Sequence, residues 1–152
     1  KIMNYTVKQI QSWPLNEAGW HVAPNRDMVR IGDRASIGDG ASIGAWSSIG
    51  DMASIGDMVS IGDGVCLGEG VKITLPQDYL EIRPIGSRDA PLSVVWGWKP
   101  EVRLFTGCRS SGLTLAEFES AVHKDHAGDK YEAEYMAVLA FIVAVGKAIG
   151  KV

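Results

Sequence analysis

The stretch SIGDGASIGAWSSIGDMASIGDMVSIGDGV, Ser36–Val65, repeats nearly the same six residues five times. Followed outward in both directions, the rhythm places a large aliphatic residue at Ile31, Ile37, Ile43, Ile49, Ile55, Ile61, Leu67 and Ile73. Glycine follows all but the last, and a small or β-branched residue stands two places before each: Val29, Ala35, Ala41, Ser47, Ala53, Val59, Val65 and Val71. Six is not a helical period; a helix would scatter these isoleucines around its circumference. In a strand, residues two apart point the same way, so each hexad predicts a short strand such as Ala35–Ile37. The following glycine supplies backbone freedom at a corner. One hexad cannot bury its own apolar face, but hexads stacked in register can.

The pattern Ile-Gly-x-x-(small)-x over Val29–Ile73 resembles the hexapeptide repeat of left-handed parallel β-helices, best known from the hexapeptide acyltransferases. It covers under a third of the 152 residues. The resemblance implies three hexads per coil, left-handed winding and trimers. Residues eighteen apart then stack: Ile31, Ile49 and Leu67; Ile37, Ile55 and Ile73; Ile43 and Ile61. The expected fold class is mainly β: a short left-handed parallel β-helix of about two coils, followed by a small α+β domain. Residues 1–28 are expected as an N-terminal cap, 29–75 as the repeat and 76–152 as the α+β domain.

Along the flat faces the outward positions are Arg30, Ser36, Ser42, Ser48, Ser54, Ser60, Cys66 and Lys72. They permit close approach of a neighbour and offer no acid, base or metal ligand. Asp33, Asp39, Asp51, Asp57, Asp63 and Glu69 stand at the corners, where short carboxylates bond turn amides. Trp46, Met52 and Met58 break the corner pattern, and exposed apolar groups of this kind point to a partner: an oligomer interface first, with the chain's own C-terminal segment or a ligand's acyl chain as the other readings.

Upstream, Tyr5–Ile10 reads as a short strand, and Trp13 and Trp20 as covers for the first coil. In the resembled family the general base is a histidine on or near the coils, and trimeric carbonic anhydrases of that family carry several there. No histidine lies within Val29–Ile73, and His21 is the nearest substitute. Downstream, YLEIRPIG, PLSVVWGW and EVRLFTGC read as three strands of an antiparallel meander linked by SRDA and KP. TLAEFESAVHKDHAG reads as a helix with Thr114 and Glu117 as capping box and Gly128 as its stop. A second helix starts after Asp129; its C-terminal half is apolar nearly all round and so is expected to be buried.

Three constellations carry possible chemistry. The loop TGCRSSGLT leads into a helix start, where free amides and the helix dipole favour anions. Arg109, Ser110, Ser111 and Gly112, with Arg103 upstream, are the ligand-binding candidates, although no Gly-Lys-Ser/Thr ends the loop. Cys108 with His123 or His126 forms a nucleophile–base pair on paper. His123, Asp125 and His126 lack the further ligand that a closed metal site wants. No catalytic residue, metal or cofactor is assigned; His21, His123 and His126 are the weak catalytic candidates.

A net charge of −3 offers no footprint for nucleic acid. The run Tyr135–Val145 is shorter than the roughly 20 residues of a membrane span, and the N-terminus has no apolar signal-peptide core. Cys66 and Cys108 lie in segments of different character, which implies no disulfide framework and fits a reducing, cytoplasmic setting. The expected function is a homotrimeric, non-catalytic binding or assembly module, holding a phosphate-bearing small molecule at a subunit interface or at Gly107–Gly112. The alternative is an acyltransferase using acyl-CoA or an acyl carrier protein and a hydroxyl or amine acceptor.

Overall fold

The computed structural model describes residues 4–86, 90–107 and 112–152. The N-terminal segment forms β1 (Asn4–Thr6), α1 (Val7–Gln11) and β2 (His21–Val22). Tyr5–Ile10 is therefore not one strand. Thr6 and Gln9 form a capping box that turns the chain into a helix after Thr6.

Each hexad gives one short strand: β3 (Met28–Ile31), β4 (Ser36–Ile37), β5 (Ser42–Gly44), β6 (Ser48–Ile49), β7 (Ser54–Ile55), β8 (Ser60–Ile61), β9 (Cys66–Leu67) and β10 (Lys72–Ile73). They pair in parallel at an offset of eighteen residues, with Ile31 beside Ile49 and Ile49 beside Leu67, Ile37 beside Ile55 and Ile55 beside Ile73, and Ile43 beside Ile61. The aliphatic columns form the core, and Ile43, Ile49, Ile61 and Ile73 have no exposed surface. Ile31 and Ile37, in the first hexads, stay partly exposed.

The expected fold class is corrected. Among the described residues no sheet closes on itself or runs as a solenoid, the sheets mix parallel and antiparallel pairs, and three helices contribute. The physical reason lies in the N-terminal segment, which has its own turn signals and adds antiparallel strands to the hexads. β1 pairs with β5, through Tyr5 beside Ile43, and β2 pairs with β3, through His21 beside Val29. The class is mixed α/β.

After a 3-10 turn at Pro76–Asp78 come β11 (Tyr79–Ile85), β12 (Ala90–Val95) and β13 (Arg103–Phe105), an antiparallel sheet in that order. The link between β12 and β13 runs from Trp96 to Val102 and is longer than Lys-Pro alone. Alternation along β12 and β13 gives this sheet two apolar faces. Val95 and Phe105 join the core of the hexads, together with Tyr79 and Trp98. Leu92, Val94 and Leu104 pack with α2 (Leu115–His126) and α3 (Lys130–Ala148), against Phe118, Val122, Tyr135, Leu139 and Ile142. The sheet thus closes the downstream end of the stacked hexads and seats the helices. Thr114 and Glu117 cap α2, and Asp129 caps α3 through the amides of Tyr131 and Glu132. The expected burial of α3 holds on one side only: Ala137, Ala140, Phe141 and Ala144 are exposed.

Candidate functional site

The corners of the hexads combine two kinds of position. At the glycine directly after each isoleucine, the constraint is close approach and not backbone freedom. A Cβ on Gly44 would lie 2.4 Å from the backbone nitrogen of Asp63, and one on Gly32 would lie 2.4 Å from that of Asp51. Aspartates of the next hexad layer complete these corners. Asp51, Asp57 and Asp63 accept hydrogen bonds from the amides of Asp33 (2.9 Å), Asp39 (2.9 Å) and Ala45 (3.0 Å).

The left-handed turn falls two residues later. Gly40, Gly64 and Gly70 have φ of 72°, 69° and 70°, the region glycine tolerates. Trp46, Met52 and Met58 occupy the same turn position with φ of 63°, 57° and 64°. For a residue with a Cβ this costs about 1–2 kcal/mol. Their side chains are 55%, 51% and 68% exposed, so packing within the chain offsets little of that cost. Met58 does reach back: its sulfur lies 2.3 Å from where a Cβ on Gly40 would be. The three residues do not form one patch. The amides of Met52 and Met58 bond the carbonyls of Asp33 (2.8 Å) and Asp39 (2.9 Å), and that of Trp46 bonds Met28. They therefore stand on three different corner stacks, which their spacing of six already encodes.

Some outward positions are covered. Along the Ser42–Ser60 face, β1 lays Asn4 across both hydroxyls, donating at 3.3 and 2.9 Å. Glu81 accepts from the Gly62 amide at 2.7 Å and pairs with Arg83, which donates to the Asp63 carbonyl at 2.7 Å. The β11 strand thereby clamps one corner, a contact the sequence pattern does not announce. Ser47, the one polar residue of the small column, is buried and satisfied: it donates to the Gly62 carbonyl at 2.7 Å and accepts from the Val65 amide at 3.1 Å.

The three histidines lie apart from the hexad faces or are tied to neighbours. His21 Nδ1 meets the Trp13 carbonyl at 3.1 Å. His123 Nδ1 lies 3.0 Å from Glu132 and its Nε2 lies 3.6 Å from Glu119. His126 Nδ1 lies 3.1 Å from Asp129. Among the described residues no group of three His, Cys, Asp or Glu side chains is placed to hold a metal ion. The hydrogen bond with Glu132 raises the proton affinity of His123, and the same bond holds Glu132 below the usual carboxylate range. His123 therefore contributes stability fully below its ordinary value of 6.5, lost as pH rises through its raised folded value. Glu132 contributes above its ordinary 4.5, lost as pH falls through its lowered folded value. The pair is fully formed between those two pH values. In an NMR titration the His123 midpoint is expected to fall in Glu132→Gln; an unmoved midpoint would refute the pairing.

Of the ligand-binding candidates, Arg109, Ser110 and Ser111 lie outside the described residues, as does Cys108. Gly107 and Gly112 flank them with φ of 66° and 68°, and Leu104 and Leu113 close the loop by paired backbone bonds of 2.8 Å. At the start of α2 the Glu117 carboxylate accepts from the Thr114 amide, which lowers its pKa, and Arg103 lies 3.9 Å away. The helix start is thus occupied by its own carboxylate. Cys66 is disulfide-bonded, against the expectation of no disulfide framework.

Compared with known proteins, the chain matches no family model, no curated protein and no solved structure. The hexad motif alone carries the resemblance. Among the described residues no helix is long and apolar enough to cross a membrane.

Proposed function

We propose that the chain is a non-catalytic assembly module whose stacked hexads pack against neighbouring copies in a homotrimer. The observation that carries this reading is the set of bulky apolar residues at Trp46, Met52 and Met58. Each is exposed, and each holds a left-handed backbone that Gly40, Gly64 and Gly70 adopt without strain. Arg34 holds the same exposed turn position with φ of 58°, so it is the apolar surface that Trp46, Met52 and Met58 leave open, and not the strain, that calls for a partner. Apolar groups on separate edges suit a ring, in which each copy touches two neighbours, better than a single face-to-face pair. A trimer is the smallest such ring.

The test is the triple variant Trp46→Gly, Met52→Gly, Met58→Gly, followed by light scattering. Its particle mass is expected to fall to a third of the wild-type value. Each monomeric unit is expected to fold as well as before, because glycine relieves about 1–2 kcal/mol of left-handed strain per site and gives back about 0.4–1 kcal/mol in unfolded-chain entropy. An unchanged mass would overturn the reading.

A further inference from the structure

A second contact surface lies on α3, far from the corners in sequence and independent of the trimer reading. The inner side of α3 is filled by the β11–β13 sheet and α2, through Tyr135, Leu139 and Ile142. Its outer side is open. From Tyr135 to Gly146 the helix carries no charged residue, yet Ala137, Ala140, Phe141 and Ala144 of that stretch are exposed, Phe141 by 52%. Beside them a groove of about 460 Å³ between α2 and α3 is lined by Leu115, Met136, Leu139 and Val143, with Glu119 and Lys147 also on its walls. The apolar surface therefore extends past the helix itself.

Charges frame this surface with opposite signs. Glu134 stands exposed at its N-terminal edge and Lys147 at its C-terminal edge. Laid antiparallel on a second copy, with the two-fold axis between Ala140 and Phe141, the pattern reads onto itself. Ala137 then faces Ala144 of the second copy, Ala133 faces Ala148, and Ala140 faces Phe141. Glu134 faces Lys147, twice. A parallel arrangement would set like charges together at both ends. The alanines let the backbones approach, the two Phe141 rings fall beside the axis, and antiparallel helix dipoles oppose favourably.

From this we infer that α3 is a self-association surface, and that its partner is α3 of a second copy of this chain, antiparallel about a two-fold axis. Such a contact is isologous and closes on itself. It joins two copies, or two rings where the trimer also forms.

Charge exchange tests it. In Lys147→Glu the pairing sets Glu134 of each copy against the introduced carboxylate of the other, and in Glu134→Lys it sets two lysines together twice. Each variant alone is expected to have half the wild-type particle mass by light scattering. An equimolar mixture is expected to recover the full mass, since both cross-pairs are then opposite in sign. One carboxylate oxygen of Glu134 accepts the Gly86 amide at 2.7 Å, so circular dichroism must first show that Glu134→Lys is folded. Ala140→Glu, at an exposed position, gives the second route: it too is expected to halve the mass. If Lys147→Glu and Ala140→Glu both keep the wild-type mass, the surface is not used. If the single variants dissociate and the mixture does not recover, the partner is not an antiparallel second copy, and the proposal falls.

Discussion

Replacing Gly44 with alanine is expected to lower the stability of the chain by about 3 kcal/mol, the upper end of the cost of overpacking. The added Cβ would lie 2.4 Å from the nitrogen and from one carboxylate oxygen of Asp63, and 2.4 Å from the Gly62 carbonyl carbon. Those atoms cannot simply step aside. Asp63 holds the Ala45 amide at 3.0 Å, and the Gly62 amide is held by Glu81 at 2.7 Å. Either the two hexad layers separate, which opens the Ile43–Ile61 column, or the corner hydrogen bonds break. Gly64 is the informative comparison. Its φ is 69°, but a Cβ there meets nothing within 4 Å, and Met52 and Met58 show that this turn position accepts a side chain. Gly64→Ala therefore costs only left-handed strain, about 1–2 kcal/mol. Thermal unfolding separates the two: at roughly 2–4 °C per kcal/mol for a chain of this size, Gly44→Ala drops the midpoint by about 6–12 °C. Equal midpoints for the two variants would refute close approach as the reason for the first corner glycine.

The same pair of glycines shows where the sequence is readable. A period of six with aliphatic residues in step points to short strands with one apolar face, and the offset of eighteen that pairs Ile31, Ile49 and Leu67 is what the resemblance implies through three hexads per coil. The repeat keeps the first corner glycine from Gly32 to Gly68 and the turn glycine only at Gly40, Gly64 and Gly70, but it does not reveal that the first is kept for space and the second for a positive φ. Nor can it reveal what the unrepeated ends do. β1 and β2 pair antiparallel with the hexads through backbone bonds, which carry no side-chain signature. That is why the pattern predicts a mainly β class and the structure is mixed. Thr6 and Gln9 do carry a readable signal, since their spacing is that of a capping box.

The candidate site is legible in composition more than in arrangement. Trp46, Met52 and Met58 stand out because they replace small corner residues, and their spacing of six fixes them on separate stacks. Their strained backbone cannot be read without coordinates. For α3 the near-absence of charge predicts burial, one side against the meander and the other in contacts between subunits. The sheet and α2 cover only the side of α3 that faces them, so burial reaches Leu139 and Ile142 and stops short of Ala140 and Phe141.

Ile49→Ala is expected to cost about 2–5 kcal/mol, the range for emptying a fully buried aliphatic site. Ile49 has no exposed surface and sits in the middle of its column, between Ile31 and Leu67. Collapse of the cavity is opposed from two directions. The corner glycines already hold adjacent layers at contact, with Gly32 against Gly50 and Asp51, and Gly50 against Gly68 and Glu69. A layer that cannot move closer cannot refill the space, and the cost of a truncation rises with the volume left empty. Ile31→Ala supplies the control. Ile31 belongs to the same column but to its first layer, where one side remains partly open, so less contact is lost and the end can relax; a cost below about 2 kcal/mol is expected there. Chemical denaturation of both variants at one protein concentration measures the difference. If Ile49→Ala were no more costly than Ile31→Ala, the column would not act as a stack whose interior is more constrained than its end, and the packing described for the hexads would be wrong.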